Sequence, residues 1–283
     1  MVNIVAVLFD VDGTILKNED LHYEATKIAS EKLGVDLSYE LWQANLGKGH
    51  PVVFEALKPK FDAIGSTISV TEFCDSCMEE YGKIIDRVPA RKGMRKFIEG
   101  LNAKGKATGA VTNAISEYAK KGLAAVGIMP FFGRNFVGLE ELNAIGMLHM
   151  KKPNPYPYDY MRSFMGVTDT HDPNAPYERY GKKGHVAVFE DSTGGVEAGL
   201  KSGAITIQFV EGPIPAHPDA DYHIRTQEEF EQIQTMLHQG LLEKRGLQRP
   251  ENKLPRDRRP LGVQSRSSSY AIVDKPRVAT GPR

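Results

Sequence analysis

Two aspartates near the beginning of the chain, Asp10 and Asp12, are separated by one residue and followed by Gly13 and Thr14. Carboxylates this close can divide the work of a group-transfer reaction. One then acts as nucleophile or metal ligand and the other as general acid and base. The glycine allows the chain to turn sharply after the acids. A strand that simply ends in a turn has the same short pattern, so the functional interpretation depends on partners elsewhere in the sequence.

Three further polar groups could serve the same reaction. Thr112 and Asn113 offer a hydroxyl and an amide that can hydrogen-bond phosphate oxygens, and Lys152 offers a cation that can offset carboxylate and phosphate charge. A second acidic pair, Glu190 and Asp191, follows later in the chain. Taken singly, each group has an ordinary explanation, such as a helix cap or a solvated lysine. Their joint occurrence favours one shared site.

Short apolar runs precede the acids and the threonine, and they have the composition of strands covered on both faces. Strands are predicted at 4–9, 107–111, 186–189, 204–210 and 221–224, and helices at 93–104, 194–203 and 227–242. Alternation of this kind predicts an α/β fold, a Rossmann-like doubly wound parallel sheet. In such sheets ligands bind at the carboxyl ends of the strands, which is where the polar groups stand.

About 90 residues of mainly helical pattern separate the first two motifs and are too long for a loop. Helices are predicted at 20–33, 39–45, 51–57 and 71–85. We therefore expect an α/β core of residues 1–16 and 88–243 with a small helical cap inserted at 17–87. Lys48 and His50, between two cap helices, and His22, on the first, are candidates for substrate specificity. Alternatively, the loop is a solvated turn and His22 a surface histidine.

The four motifs lie in this order across residues 1 to about 210 and resemble those of the haloacid dehalogenase superfamily of phosphohydrolases. The helical insertion is similar to its capped branch of phosphatases and phosphosugar mutases. A polar insertion at 166–184, with Pro155 and Tyr158 before it, resembles sugar-phosphate and glycerol-phosphate phosphatases. The resemblance implies that Asp10 attacks phosphorus to form an aspartyl-phosphate. Asp12 would protonate the leaving oxygen and later activate water.

The same resemblance implies the binding residues. Thr112, Asn113 and Lys152 would hold the phosphoryl group. Mg²⁺ would be bound by Asp10, by the main-chain carbonyl of Asp12 and by Asp191. Glu190 would either bind the metal directly or lie just behind these ligands. A hard cation that keeps several waters needs few protein ligands, so this small set suffices.

Three functions remain open from the sequence. The first is a Mg²⁺-dependent phosphatase acting on a small sugar or polyol phosphate. The second is a phosphosugar mutase similar to beta-phosphoglucomutase, and Thr14 argues against it because related mutases usually carry an aliphatic residue there. The third is a non-catalytic scaffold acting through the C-terminal segment, although such proteins tend to lose the nucleophile.

Charge is unevenly distributed along the 283 residues. Residues 244–283 contain eleven Lys and Arg against three Asp and Glu, a net charge of +8, so the rest of the neutral chain carries −8. We expect residues 244–283 to be a disordered basic tail that binds an acidic partner or is simply solvated. The acidic body argues against a nucleic-acid enzyme.

The sequence has no apolar run of the roughly 20 residues that span a bilayer, and it begins with no basic leader. We therefore expect a cytoplasmic protein with no membrane partner, present as a monomer or weak dimer.

Overall fold

A computed structural model describes residues 3–168, 182–183, 185–212 and 214–244. Its main sheet has six parallel strands in the order β3-β2-β1-β6-β7-β8. These strands are β1 (Ile4–Phe9), β2 (Ala107–Val111), β3 (Phe136–Val137), β6 (His185–Glu190), β7 (Ile205–Phe209) and β8 (Tyr222–Ile224). Because the chain leaves β1 toward β2 on one side and later pairs β6 on the other, a crevice is expected between the carboxyl ends of β1 and β6.

The central strands are buried along almost their whole length because helices cover both faces of the sheet. Every residue of β1 is buried, and from Ala6 to Phe9 successive residues belong alternately to two separate hydrophobic clusters, such as Val7 on one face and Leu8 on the other. The helices after the insertion are α5 (Met94–Ala103), α6 (Ser116–Ala125), α7 (Met129–Phe132), α8 (Leu139–Ala144), α9 (Tyr156–Phe164), α10 (Thr193–Ser202) and α11 (Gln227–Gln239).

The segment between β1 and α5 is a helical insertion. Its helices are α1 (Glu19–Lys32), α2 (Tyr39–Ala44), α3 (His50–Ala63) and α4 (Val70–Ile84), followed by a 3₁₀ turn at Ile85–Arg87. Trp42, Phe54, Phe61 and Phe73 belong to a third hydrophobic cluster enclosed by these helices. A capping box between Ser69 and Glu72 begins α4. The insertion therefore has a hydrophobic core of its own.

The predicted fold class is confirmed: the structure is a doubly wound parallel sheet, and the predicted strands agree with it to within a residue at most ends. The helix predicted at 51–57 is longer, since α3 continues through Pro59 to Ala63. The helix predicted to end at 242 ends at Gln239, where Gly240 adopts a left-handed conformation.

Two short strands lie near the two ends of the polar insertion predicted at 166–184. They are β4 (Val167–Thr168) and β5 (Lys182–Lys183), which pair in parallel as a separate small sheet. Residues 169–181 and the predicted tail beyond Lys244 lie outside the described residues. Within the described ranges, no helix is both long and apolar enough to cross a membrane.

Candidate active site

The carboxyl ends of β1, β2 and β6 bring the predicted residues together at one edge of the sheet. Asp10 follows β1, and its N–H donates to Phe189 O at 2.9 Å, which fixes it beside β6. Thr112 follows β2 and is held at the same edge by its N–H bond to Val137 O at 2.9 Å. Lys152 enters from the turn before α9 and is buried.

Lys152 connects the two acidic strand ends. Its Nζ donates to Asp10 Oδ1 at 2.5 Å, to Glu190 Oε1 at 2.6 Å and to the main-chain oxygen of Val111 at 3.1 Å. Burial by itself lowers the pKa of this lysine, but the charges of Asp10 and Glu190 outweigh burial and raise the pKa. Lys152 therefore stays protonated between the two carboxylates.

Glu190 is fully buried and has partners on both oxygens. Oε1 accepts from Lys152 and from the Tyr158 hydroxyl at 2.7 Å. Oε2 accepts from the N–H groups of Asp191 at 3.2 Å and Ser192 at 3.4 Å, and from the Ser192 hydroxyl at 3.2 Å. A Cβ at Gly195 would overlap this carboxylate, so the start of α10 can approach it only as glycine. Glu190 thus orients Lys152 and the beginning of α10.

Asp12 lies between residues of the core and of the insertion. Asn18 Nδ2 donates to Asp12 Oδ1, and the Thr112 hydroxyl donates to Oδ2 at 3.3 Å. Burial raises the pKa of Asp12 above its usual value, although these two hydrogen bonds and the charge of Lys152 oppose the rise. A carboxyl group held this way is suited to hold and release a proton.

Thr112 and Asn113 make different contacts. Thr112 Oγ1 accepts from Ala114 N–H at 2.9 Å while it donates to Asp12, so it faces the site. Asn113 instead uses its side-chain amide on the main chain of Lys152, donating to the carbonyl oxygen at 2.9 Å and accepting from the N–H at 3.1 Å. In this geometry the Asn113 side chain positions Lys152.

The site has the composition of a cation site. Oxygens of Asp10, Glu190 and Asp191 all lie within 4.8 Å of one another. Burial first, and then the charge of Glu190, raise the pKa of Asp10 well above its usual range and that of Asp191 to about 8. Lys152 offsets only part of this crowding of negative charge. A divalent cation would offset the remainder, and carboxylate oxygens are the ligands that Mg²⁺ prefers.

Gly13 brings the loop after β1 against Asp191. Its φ is +76°, and a Cβ there would overlap the Asp191 carboxylate. Thr14, the next residue, directs its hydroxyl to Asp191 Oδ1 at 3.4 Å. Glycine is therefore needed at position 13 for two reasons: its positive φ, and the close approach of the Asp191 carboxylate.

The three candidate specificity residues lie in different surroundings. His22 stacks on Tyr81 with ring centroids 4.0 Å apart, and its Nε2 lies 3.3 Å from Asn18 Nδ2. The ring of His50 is 5.7 Å from that of His22. Burial lowers the pKa of both histidines to about 4. Lys48 is exposed, and its Nζ donates to Ala44 O at 2.8 Å.

The loop that carries Lys48 approaches the core. A Cβ at Gly47 would lie 3.6 Å from Ile214 Cδ1, and one at Gly212 would lie 3.9 Å from Leu46 Cδ2. The interhelical loop at 46–49 therefore lies against the segment that follows β7.

Asn18 and Tyr81 were not identified from the sequence. Asn18 Nδ2 contacts Asp12 and the Tyr81 hydroxyl, the latter at 2.8 Å, and Asn18 Oδ1 accepts from Gly13 N–H at 3.3 Å. Asn18 immediately precedes α1, a position where a polar side chain usually caps the helix. Its side chain makes no cap hydrogen bond and contacts Asp12 instead. Tyr81 reaches it from α4, 63 residues away, and no local pattern reports that contact.

Comparison with known proteins gives a consistent result. The family model described as haloacid dehalogenase-like hydrolase matches residues 4–203. A phosphorylated carbohydrates phosphatase from Thermotoga maritima is 25% identical over 203 residues, covering 70% of this chain and 81% of the relative.

Solved structures resemble the fold over about four fifths of the chain. A Thermotoga maritima protein assigned as a beta-phosphoglucomutase superimposes with a TM-score of 0.62 at 21% identity, covering 83% of this chain and 100% of the other. YfnB from Bacillus subtilis, assigned as a hydrolase of the same family and solved with magnesium, gives a TM-score of 0.58 at 21% identity. It covers 82% of this chain and 99% of the other.

Proposed function

Because this chain belongs to the haloacid dehalogenase-like hydrolases, we propose that it is a Mg²⁺-dependent phosphatase. Its substrate would be a small sugar or polyol phosphate, and the reaction would pass through an aspartyl-phosphate on Asp10. The observation that carries the proposal is the contact of Asp10 with Lys152, close to Asp12 at the carboxyl ends of β1 and β6.

In the first half-reaction, a carboxylate oxygen of Asp10 attacks phosphorus while the bond from phosphorus to the leaving oxygen breaks. Asp12 gives its proton to that oxygen, so the product alcohol leaves neutral. The raised pKa of Asp12 supports this role, because a group that must begin protonated needs a pKa closer to neutral pH. Lys152 and the Thr112 hydroxyl are placed to bind phosphoryl oxygens.

In the second half-reaction, Asp12 takes a proton from water, and the water oxygen attacks phosphorus. The bond between Asp10 and phosphorus breaks, which releases inorganic phosphate and restores the carboxylate. Asn18 Nδ2 holds Oδ1 of Asp12, so the group that donated the proton is already oriented to accept the next one.

We assign Mg²⁺ to the carboxylates of Asp10 and Asp191 and the main-chain carbonyl of Asp12. When bound, the cation supplies charge compensation for the phosphoryl group and for these acids. Glu190 lies behind them in this proposal, because both of its oxygens already have protein partners.

The helical insertion at 17–87 would act as a cap that chooses the substrate. Two observations support this role: His22 lies next to the Asn18 that holds Asp12, and His50 lies beside His22. The substrate class rests on the carbohydrate phosphatase relative, whose name states a phosphorylated carbohydrate. The mutase alternative rests on the solved structure assigned to that activity.

The test is release of inorganic phosphate from a panel of sugar phosphates, glycerol phosphate, phosphoglycolate and nucleotides. We expect release from sugar or polyol phosphates that stops with EDTA and returns with excess Mg²⁺. Full activity in excess chelator would contradict the metal assignment. Conversion of a hexose 1-phosphate to its 6-isomer without free phosphate would establish the mutase instead.

A further inference from the structure

Arg91 lies where the chain returns from the helical insertion to the core. Its N–H donates to Ile15 O at 2.8 Å, and the neighbouring residues Leu16 and Ala90 form an antiparallel bridge. The chain segments that leave the core for the insertion and return from it are thus paired next to the loop that carries Asp12. Arg91 is buried, which is unusual for a charged residue outside the catalytic centre.

The guanidinium group of Arg91 reaches the loop after β1. Nε donates to the main-chain oxygen of Thr14 at 2.8 Å, and a terminal nitrogen donates to the main-chain oxygen of Gly13 at 2.5 Å. The group lies 3.8 Å over the ring of Phe209, and its other terminal nitrogen pairs with Glu211 at 2.5 Å. Three elements therefore fix the position of this side chain.

We propose that Arg91 is a positioning residue for the Mg²⁺ site, acting through Gly13 and Thr14 on Asp191. This inference rests on the proposed function for the identity of the metal. Arg91 binds the main-chain oxygens of Gly13 and Thr14, the two residues that lie against Asp191. Gly13 is so close to the Asp191 carboxylate that a Cβ would overlap it, and the Thr14 hydroxyl lies 3.4 Å from Asp191 Oδ1. Displacing this loop changes the separation of Asp10 and Asp191.

The contacts require arginine and not merely a positive charge. The planar guanidinium presents several N–H groups in a fixed fork, so one side chain can bind two adjacent carbonyls while it stacks on Phe209. A lysine at the same position can keep the ion pair with Glu211 but cannot reproduce that fork. Arg91→Lys therefore separates the loss of geometry from the loss of charge.

Arg87 offers a matched control. It lies four residues earlier, on the same return from the insertion, and it is an exposed arginine that forms two bonds of 2.8 Å with Glu24. Arg87→Lys makes the same chemical change without touching the loop after β1. It should leave Mg²⁺ binding unchanged.

The experiment titrates Mg²⁺ into metal-free protein by calorimetry, without substrate. Partners that orient metal ligands typically contribute about 10–100-fold to metal affinity or activity. We expect Arg91→Lys to weaken Mg²⁺ binding by about that factor and to lower kcat at subsaturating Mg²⁺, with KM for substrate at saturating Mg²⁺ changed less than about 3-fold.

A role in stability alone gives another result. Thermal unfolding would then occur at lower temperature while the Mg²⁺ affinity of the folded Arg91→Lys protein stayed within about 3-fold of the parent, and the proposal would be overturned.

If Arg91→Lys does not fold, Glu211→Gln and Phe209→Leu loosen the same guanidinium with smaller changes. Each should weaken Mg²⁺ binding measurably, and normal affinity in both would refute the proposal. Absence of phosphatase activity in the parent protein would refute the proposed function without affecting this binding test.

Discussion

The ammonium nitrogen of Lys152 lies 2.5 Å from Oδ1 of Asp10, and both side chains are buried. The same nitrogen contacts Glu190 at the end of β6, so one cation joins the acidic ends of two neighbouring strands. In this buried environment each partner depends on the other. Removing Lys152 leaves two buried carboxylates without their cation.

Lys152→Ala should therefore reduce stability and activity together. Breaking a buried ion pair typically costs about 3–5 kcal/mol, so denaturant unfolding should show a large loss of unfolding free energy. Turnover of every substrate should fall, because each passes through the same charged transition state. Lys151→Ala is the matched control, since that neighbour is exposed. A stable and active Lys152→Ala protein would show that the contact is incidental.

Asp10→Asn tests the nucleophile without changing its size. A neutral amide cannot form the acyl-phosphate, so phosphate release should fall to background. Circular dichroism and thermal unfolding should still show a folded protein, because the amide keeps the shape of the carboxylate and can accept from Lys152. Asp62→Asn, on the exposed face of α3, should leave the rate unchanged. Near-normal turnover by Asp10→Asn would require a different nucleophile.

Much of the core site could be predicted from the sequence because its chemistry is local. Asp10 and Thr112 directly follow buried strands, and Glu190 is the last residue of one. Because the carboxyl ends of parallel strands meet at one edge of a sheet, these residues are expected to lie together. The position of these residues follows from the strand alone. The patterns above assign no elements to residues 114–150, where β3 has only two residues and α7 and α8 only four and six. Elements this short contain too few residues to show the hydrophobic periodicity of a helix or a strand.

The supporting contacts could not be predicted, since they join distant parts of the chain. Arg91 binds carbonyls 77 and 78 residues away, and Tyr81 meets Asn18 across 63 residues. Asn113 was predicted to bind phosphate because amides at strand ends can do so. Its actual partner is the main chain of Lys152, 39 residues away, and its sequence context gives no sign of that choice.

His50 and Lys48 should differ in their effect on substrate preference. His50 lies beside His22 and so near the group that holds Asp12, whereas the Lys48 amine is exposed and bound to Ala44 O. We expect His50→Ala to change kcat/KM unevenly across a substrate panel, by about 1–3 kcal/mol for substrates that it contacts. Lys48→Ala should have the smaller effect.

Hydrolysis of p-nitrophenyl phosphate provides the reference for both variants, because this small generic ester offers little for the helical insertion to recognise if it acts as the proposed cap. Its rate should change least in either protein. An unchanged profile for His50→Ala across the whole panel would mean that residues 46–50 are only a connection between helices.

His22 should make stability depend on pH. Its pKa is lowered by burial to about 4 in the folded protein, against 6.5 for an ordinary histidine. Between these values the unfolded chain binds a proton that the folded protein does not, so stability rises with pH in this window. The contribution is therefore fully present above about pH 6.5 and is lost as pH falls toward 4.

The measurement is the unfolding free energy of the parent and His22→Gln proteins from pH 7 to 5 at fixed Mg²⁺. One proton corresponds to about 1.4 kcal/mol per pH unit, so the parent should lose up to about 2 kcal/mol more than the variant between pH 6.5 and 5. The variant also loses the stacking on Tyr81, which is a constant offset. It removes the charge of His22 as well, which helps to lower the pKa of His50, so the difference in slope includes that smaller effect. His149→Gln, at an exposed position, should retain the parent slope. Equal slopes for the parent and His22→Gln would mean that the pKa of His22 is the same in the folded protein as in the unfolded chain, which would contradict the burial of its ring against Asn18 and Tyr81.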